Sequence, residues 1–195
     1  MLKNRLKNVL IASVLVSSSL MASSYSYNTV SLLGIEGGYA NATADTTYPD
    51  AYKTNDTNLV DMGLKIGAET DSYRIFLGAR YYYDIDDNFD YLSTYGIDLQ
   101  YKFNFSPKAN FFIGVGGGIA NAKLTLDGEN FDRTISDGYY NVDVGFNIHV
   151  TSGTDIELGA RYLEVDAHNI KNDIDFQLNS MVSAYGSVIF KWRMD

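Results

Sequence analysis

Cysteine is absent from the 195-residue chain, which excludes disulfides, thiol catalysis and zinc–thiolate centres. Proline occurs twice, so little interrupts extended backbone. Basic residues are scarce: 15 Lys and Arg stand against 24 Asp and Glu, a net charge of −9. A nucleic-acid partner is therefore not expected, because phosphate binding needs a basic face. No apolar run reaches the ~20 residues of a membrane-spanning helix. What is abundant is aromatic: 16 Tyr and 10 Phe, a mixture that strands accept well.

The first residues read as an export signal. Lys3, Arg5 and Lys7 form a basic head, Val9 to Val16 an apolar run, and small residues follow to Ala22-Ser23-Ser24. This three-part layout is that of a secretory signal peptide. We expect residues 1–24 to be removed and residues 25–195 to form one domain outside the cytoplasm. Losing the three cations takes the charge from −9 to −12.

Eight segments of alternating polarity follow, near 29–41, 58–70, 73–83, 92–105, 110–121, 138–150, 154–163 and 176–192. In "YRIFLGARYYY", Tyr73, Ile75, Leu77, Ala79, Tyr81 and Tyr83 share one face, and Arg74, Phe76, Gly78, Arg80 and Tyr82 share the other, since successive side chains point to opposite sides. Soluble strands cluster near ~5–6 residues, whereas membrane-crossing strands need ~9–11. Connections near 70–72, 106–109 and 151–153 are tight. Those near 42–57, 84–91, 122–137 and 164–175 read as longer loops. Short turns at one end and long loops at the other are a property of outer-membrane barrels. There the usual polarity is inverted: the apolar face meets lipid and the polar face lines the lumen. The expected fold is all-β, an eight-stranded antiparallel up-and-down transmembrane β-barrel.

With its export signal, eight alternating strands and aromatic last strand "GSVIFKWRMD", the chain resembles the small eight-stranded outer-membrane β-barrel proteins of Gram-negative bacteria. That group includes the OmpA transmembrane domain and the opacity-type proteins. The resemblance spans the mature chain. It implies a cell outer-membrane location, contact with outer-membrane lipids and lipopolysaccharide, and a monomer. The family usually ends on an aromatic residue; here Arg193-Met194-Asp195 follow Trp192. No peptidoglycan-binding domain like that of full-length OmpA is expected.

Eight strands leave an interior that side chains can fill. The mid-height inward residues are Glu36, Lys65, Arg80, Asp98, Asp143 and Arg161, three acids and three bases from six strands. Buried charges persist when paired, so a salt-bridge plug is expected ahead of a gated ion pathway. Arg80 is expected to pair with Asp98 or Glu36. Gly114, Gly116 and Gly118 are expected to make room for arginine and aromatic side chains.

The four long loops carry −11 of the mature −12, which suits surface contact with a basic partner or cation-bridged lipopolysaccharide phosphates. Within "DIDDNFD", Asp84, Asp86, Asn88 and Asp90 are a candidate cation-binding set. Phe89 stands where a calcium loop of the EF-hand type needs glycine, which argues against a true calcium site. No metal, cofactor or catalytic residue is nominated. Of the two histidines, His149 is expected at a periplasmic turn facing the lumen and His168 in an outer loop, neither beside a nucleophile. A narrow channel for small solutes and a lipid A-modifying enzyme are the alternative readings.

Overall fold

The structure, a computed structural model, describes residues 29–48, 51–84, 91–124, 133–171 and 174–193. The proposed leader 1–24 lies outside them, as do Asp86, Asn88, Asp90 and the side chains of Asp84 and His168.

Eight strands form: β1 (Val30–Tyr48), β2 (Ala51–Glu69), β3 (Tyr73–Asp84), β4 (Tyr91–Ser106), β5 (Ala109–Leu124), β6 (Arg133–Thr151), β7 (Thr154–Lys171) and β8 (Ile174–Trp192). Each pairs antiparallel with the next, and β8 returns to β1 from Ser31↔Trp192 to Thr47↔Asp175, closing the barrel. Closure removes every strand edge, so the backbone polar groups of the wall are satisfied within it.

The registers fix the stagger. From Gly38, registered neighbours lead one way through Asp61, Tyr82 and Leu92 to Ala122. The other way they lead through Tyr185, Gly159 and Gly145 to Phe112. Both end on β5, and 122 minus 112 is a stagger of ten residues. A climb of ~33 Å around a circumference of ~38 Å tilts the strands by ~40°.

The polarity is inverted, as the alternation predicts. Met62 is 69% exposed and Leu64 58%, while Arg74 is 0% and Arg161 1% exposed. Aromatic rings gather at both ends of the apolar band, where amphipathic rings favour the interface. On the periplasmic side Tyr73, Tyr101, Phe103, Phe111 and Phe146 form a ladder with successive centroids 5.1, 4.7, 5.8 and 5.4 Å apart. On the outer side Tyr81 stacks on Tyr91 at 5.3 Å.

The periplasmic turns are closed by hydroxyls. Thr70 N donates to Tyr73 O at 2.8 Å, and Tyr73 N donates back to Thr70 Oγ1 at 3.2 Å. Lys108 N donates to Ser106 Oγ, and Gly153 N to Thr151 Oγ1, each at 3.2 Å. Short Ser/Thr side chains substitute here for backbone partners.

The outer end differs from the sequence-based expectation. The described residues of the segments 42–57, 122–137 and 164–175 are strand, not loop. Pairing continues to Tyr48↔Ala51, Leu124↔Arg133 and Lys171↔Ile174. Alternation is a signature of lipid on one face only. In Thr43 to Thr47 the apolar residues no longer alternate with polar ones, while the hydrogen-bond ladder runs on.

Candidate functional site in the barrel lumen

Each strand delivers every second side chain to the interior, and these side chains stack in layers. At the outer end is an apolar plug that includes Ala40, Leu59, Tyr82, Leu92, Leu163 and Met181. A first charged tier lies below it. Lower down, Phe112 and a small cluster of Leu32, Phe76 and Ile189 are interleaved with a second set of charges, Leu32 registering with Lys191, Phe112 with Lys102 and Ile189 with Asp155. This second charged tier closes the periplasmic end.

The first tier contains the six residues chosen from the sequence, and all six are buried. Glu36 is its hub. Arg80 Nε donates to Glu36 Oε1 at 2.6 Å, and Arg161 Nη1 to the same oxygen at 3.0 Å. Lys65 Nζ lies 3.1 Å from Glu36 Oε2. Arg80 Nη2 reaches Asp98 Oδ2 at 2.5 Å, so Arg80 takes both expected partners rather than one. Arg161 Nε donates to Asp143 Oδ1 at 2.9 Å. Asn141 Nδ2 bridges Asp98 and Asp143 at 3.1 and 3.2 Å. The Arg161 guanidinium sits 4.4 Å from the Tyr185 ring centroid, a cation–π contact away from water.

The second tier was missed from the sequence. Arg74 Nε donates to Glu69 at 2.7 Å, Nη2 to Asp155 at 2.7 Å, and Nη1 to Asn147 at 2.6 Å and Glu157 at 3.3 Å. Lys102 reaches Glu69 at 3.0 Å. Lys191 lies 3.3 Å from Glu69 and 3.0 Å from Asp155. Lys65 joins the tiers, because its Nζ also donates to Glu157 at 2.7 Å. The result is one connected network from Glu36 to the periplasmic rim. Its signal was present: Glu69, Arg74, Lys102, Asp155, Glu157 and Lys191 all have inward parity. Selection at mid-height alone left them out.

Small residues create the space. A Cβ at Gly63 would come within 2.8 Å of Glu36 Cγ and 3.1 Å of Arg80 Cγ. The strand-five glycines act differently from expectation. The space at Gly116 is taken by Asp98 and Asn141, and that at Gly114 by Gln100, not by arginines or rings. Room for the long cations comes from Gly34, Gly63 and Gly78 on β1, β2 and β3.

His149 lies at the periplasmic rim, with Nδ1 2.8 Å from Asp155 Oδ1 and Nε2 3.2 Å from Asn110 Nδ2. Both ring nitrogens are thus engaged. Among the described residues no group of three or more His, Cys, Asp or Glu is placed to hold a metal ion, and no helix is long and apolar enough to cross a membrane.

Comparison with known proteins gives a consistent result. A family model described as "Outer membrane protein beta-barrel domain" matches residues 12–182. Neisserial surface protein A is similar in structure, with 16% identity over 81% of this chain and 97% of that one, at a TM-score of 0.60. Outer membrane protein OprG of Pseudomonas aeruginosa has 12% identity over 84% and 96% of the two chains, TM-score 0.53. Outer membrane protein H of P. aeruginosa has 18% identity over 83% and 99%, also at 0.53. No curated protein sequence matches the chain.

Proposed function

Because the chain belongs to the outer membrane protein β-barrel domain family and lies in the cell outer membrane, we propose that it acts in envelope structure or surface interaction through its acidic outer segments. It neither conducts solutes nor catalyses a reaction. The observation that carries this reading is the connected charge network filling the lumen from Glu36 to Lys191. Opening a pore would require moving several buried pairs at once, and stranding one partner of a buried pair typically costs ~3–5 kcal/mol.

The charge distribution supplies the second half of the reading. Nearly all the net negative charge resides in the outer connections, with four aspartates in residues 84–90 alone. These carboxylates suit divalent cations shared with lipopolysaccharide phosphates, or a basic surface partner. Against an enzyme stands the engagement of His149 by Asp155 and Asn110. A leader at residues 1–24 delivers the chain, and the barrel works as a monomer.

The reading is tested with the barrel in lipid nanodiscs, beside a variant with Asp84, Asp86, Asp87 and Asp90 changed to Asn. Binding to lipopolysaccharide, with magnesium or with a chelator, is measured together with binding to lysine-rich peptides. The intact barrel should bind at least one of these, and the variant should lose most of that binding. Equal binding by both, or none by either, would contradict a role for the acidic segments.

A further inference from the structure

Among the described residues, the lumen charges balance with one exception. The two tiers hold six carboxylates (Glu36, Glu69, Asp98, Asp143, Asp155 and Glu157) and six cationic groups (Lys65, Arg74, Arg80, Lys102, Arg161 and Lys191). Asp61 is a seventh acid. It lies on β2, one inward step above Gly63, and is 7% exposed. Neither of its carboxylate oxygens has a hydrogen-bond partner among the described residues. Its Oδ2 lies against Gly38, 2.6 Å from where a Cβ would be.

Six buried hydroxyls share this condition, and four of them lie near Asp61. Tyr82 Oη, Thr94 Oγ1, Tyr139 Oη and Ser183 Oγ are buried without a partner among the described residues. Their registers place them together. Tyr82 is the β3 neighbour of Asp61, and Thr94 on β4 lies opposite Arg80, one inward step below Tyr82. Tyr139 presses its hydroxyl against Gly96, the next inward position after Thr94. Ser183 on β8 pairs with Ala40, one inward step above Gly38. Allowing for the ten-residue climb around the wall, all five positions lie within about two residues of one another in height. They form one ring directly above the first charged tier, at the base of the apolar plug, to which the rings of Tyr82 and Tyr139 also belong.

Buried polar atoms are nearly always satisfied, and an isolated buried carboxylate is especially unfavourable. Five neighbouring exceptions in one layer therefore point to something held among them. The unpartnered side-chain atoms of these five residues are all oxygens, a donor type that suits hard cations. One carboxylate among neutral hydroxyls, above a tier that already balances, needs a single positive charge. A divalent ion would leave an excess.

We propose that Asp61, with the hydroxyls of Tyr82, Thr94, Tyr139 and Ser183, holds one hydrated alkali cation, sodium or potassium, inside the upper lumen. The ion neutralises the seventh carboxylate and lets the polar ring exist beneath an apolar plug. The inference uses only the closed lumen, and holds whatever the outer segments bind.

The test uses the folded barrel in lipid vesicles. Urea unfolding is followed in sodium, potassium and N-methylglucamine chlorides at equal ionic strength, above neutral pH. The midpoint should be higher in one or both alkali salts and should saturate with concentration, as one-site binding requires. Asp61→Asn should still fold, since it removes an unpaired charge, and should abolish the difference. Should that variant fail to insert, crystals of the wild-type barrel grown with rubidium decide the matter, with an anomalous peak expected beside Asp61. No cation-specific difference in the wild type, a difference that survives Asp61→Asn, or no rubidium in this ring would each overturn the proposal. A carboxyl infrared band that disappears in Asp61→Asn would do so as well, because it would show that a proton neutralises the group.

Discussion

Glu36 accepts from three cations on three different strands, so a single substitution there disturbs more of the lumen than any surface change. Glu36→Gln should destabilise the barrel by roughly 3–5 kcal/mol, the range for breaking a buried ion pair, as read from urea unfolding in vesicles. Arg80 gives a sharper comparison. Its removal strands Asp98, which has no other cation within reach among the described residues, while Glu36 keeps Lys65 and Arg161. Arg80→Leu combined with Asp98→Leu should therefore recover much of the loss, and Arg80→Leu with Glu36→Leu should not. Equal recovery in both pairs would mean the pairing is misassigned. On the other face, Leu77 is 47% exposed on a wall that meets lipid. Leu77→Arg should cost about 2–4 kcal/mol, the penalty for a cation near the bilayer midplane. A neutral result would place that face in water.

At the scale of the strand, legibility followed the environment. Where one face meets lipid and the other the lumen, alternation is strict, and all eight strands were readable, as in Tyr73 to Tyr83. Above the apolar band it fails: β1 and β2 each run to 19 residues, yet the residues from Ala42 to Thr57 read as a loop. The lumen was legible to the same extent. The first tier followed from parity at mid-height, whereas the second tier and the orphan ring with Asp61 did not. Parity says which side chains point inward, but only the stagger between strands says which of them meet. The extended β1–β2 hairpin makes its own prediction. Its upper pairs, from Asp45↔Thr54 outward, begin nine residues along β1 from Glu36, so deleting residues 45–54 should leave membrane insertion and heat-resistant folding on gels intact. Failure to insert would show that the extension templates the barrel.

For the whole molecule, closure and charge are coupled. The barrel is sealed as a sheet by β1 and β8, and as a conduit by two charged tiers joined through Lys65 and Glu157. A sheet of this size has little room for anything but its own side chains, so a surface role follows from the same packing that stabilises the fold. Single-channel recording of the mature barrel in planar bilayers, in concentrated potassium chloride at neutral pH, tests the sealed lumen most directly. The wild type should be silent, and unitary steps should emerge only when Glu36→Gln or Lys65→Met loosens the network. Sustained steps in the wild type, unchanged by either substitution, would contradict a closed lumen and identify the protein as a channel.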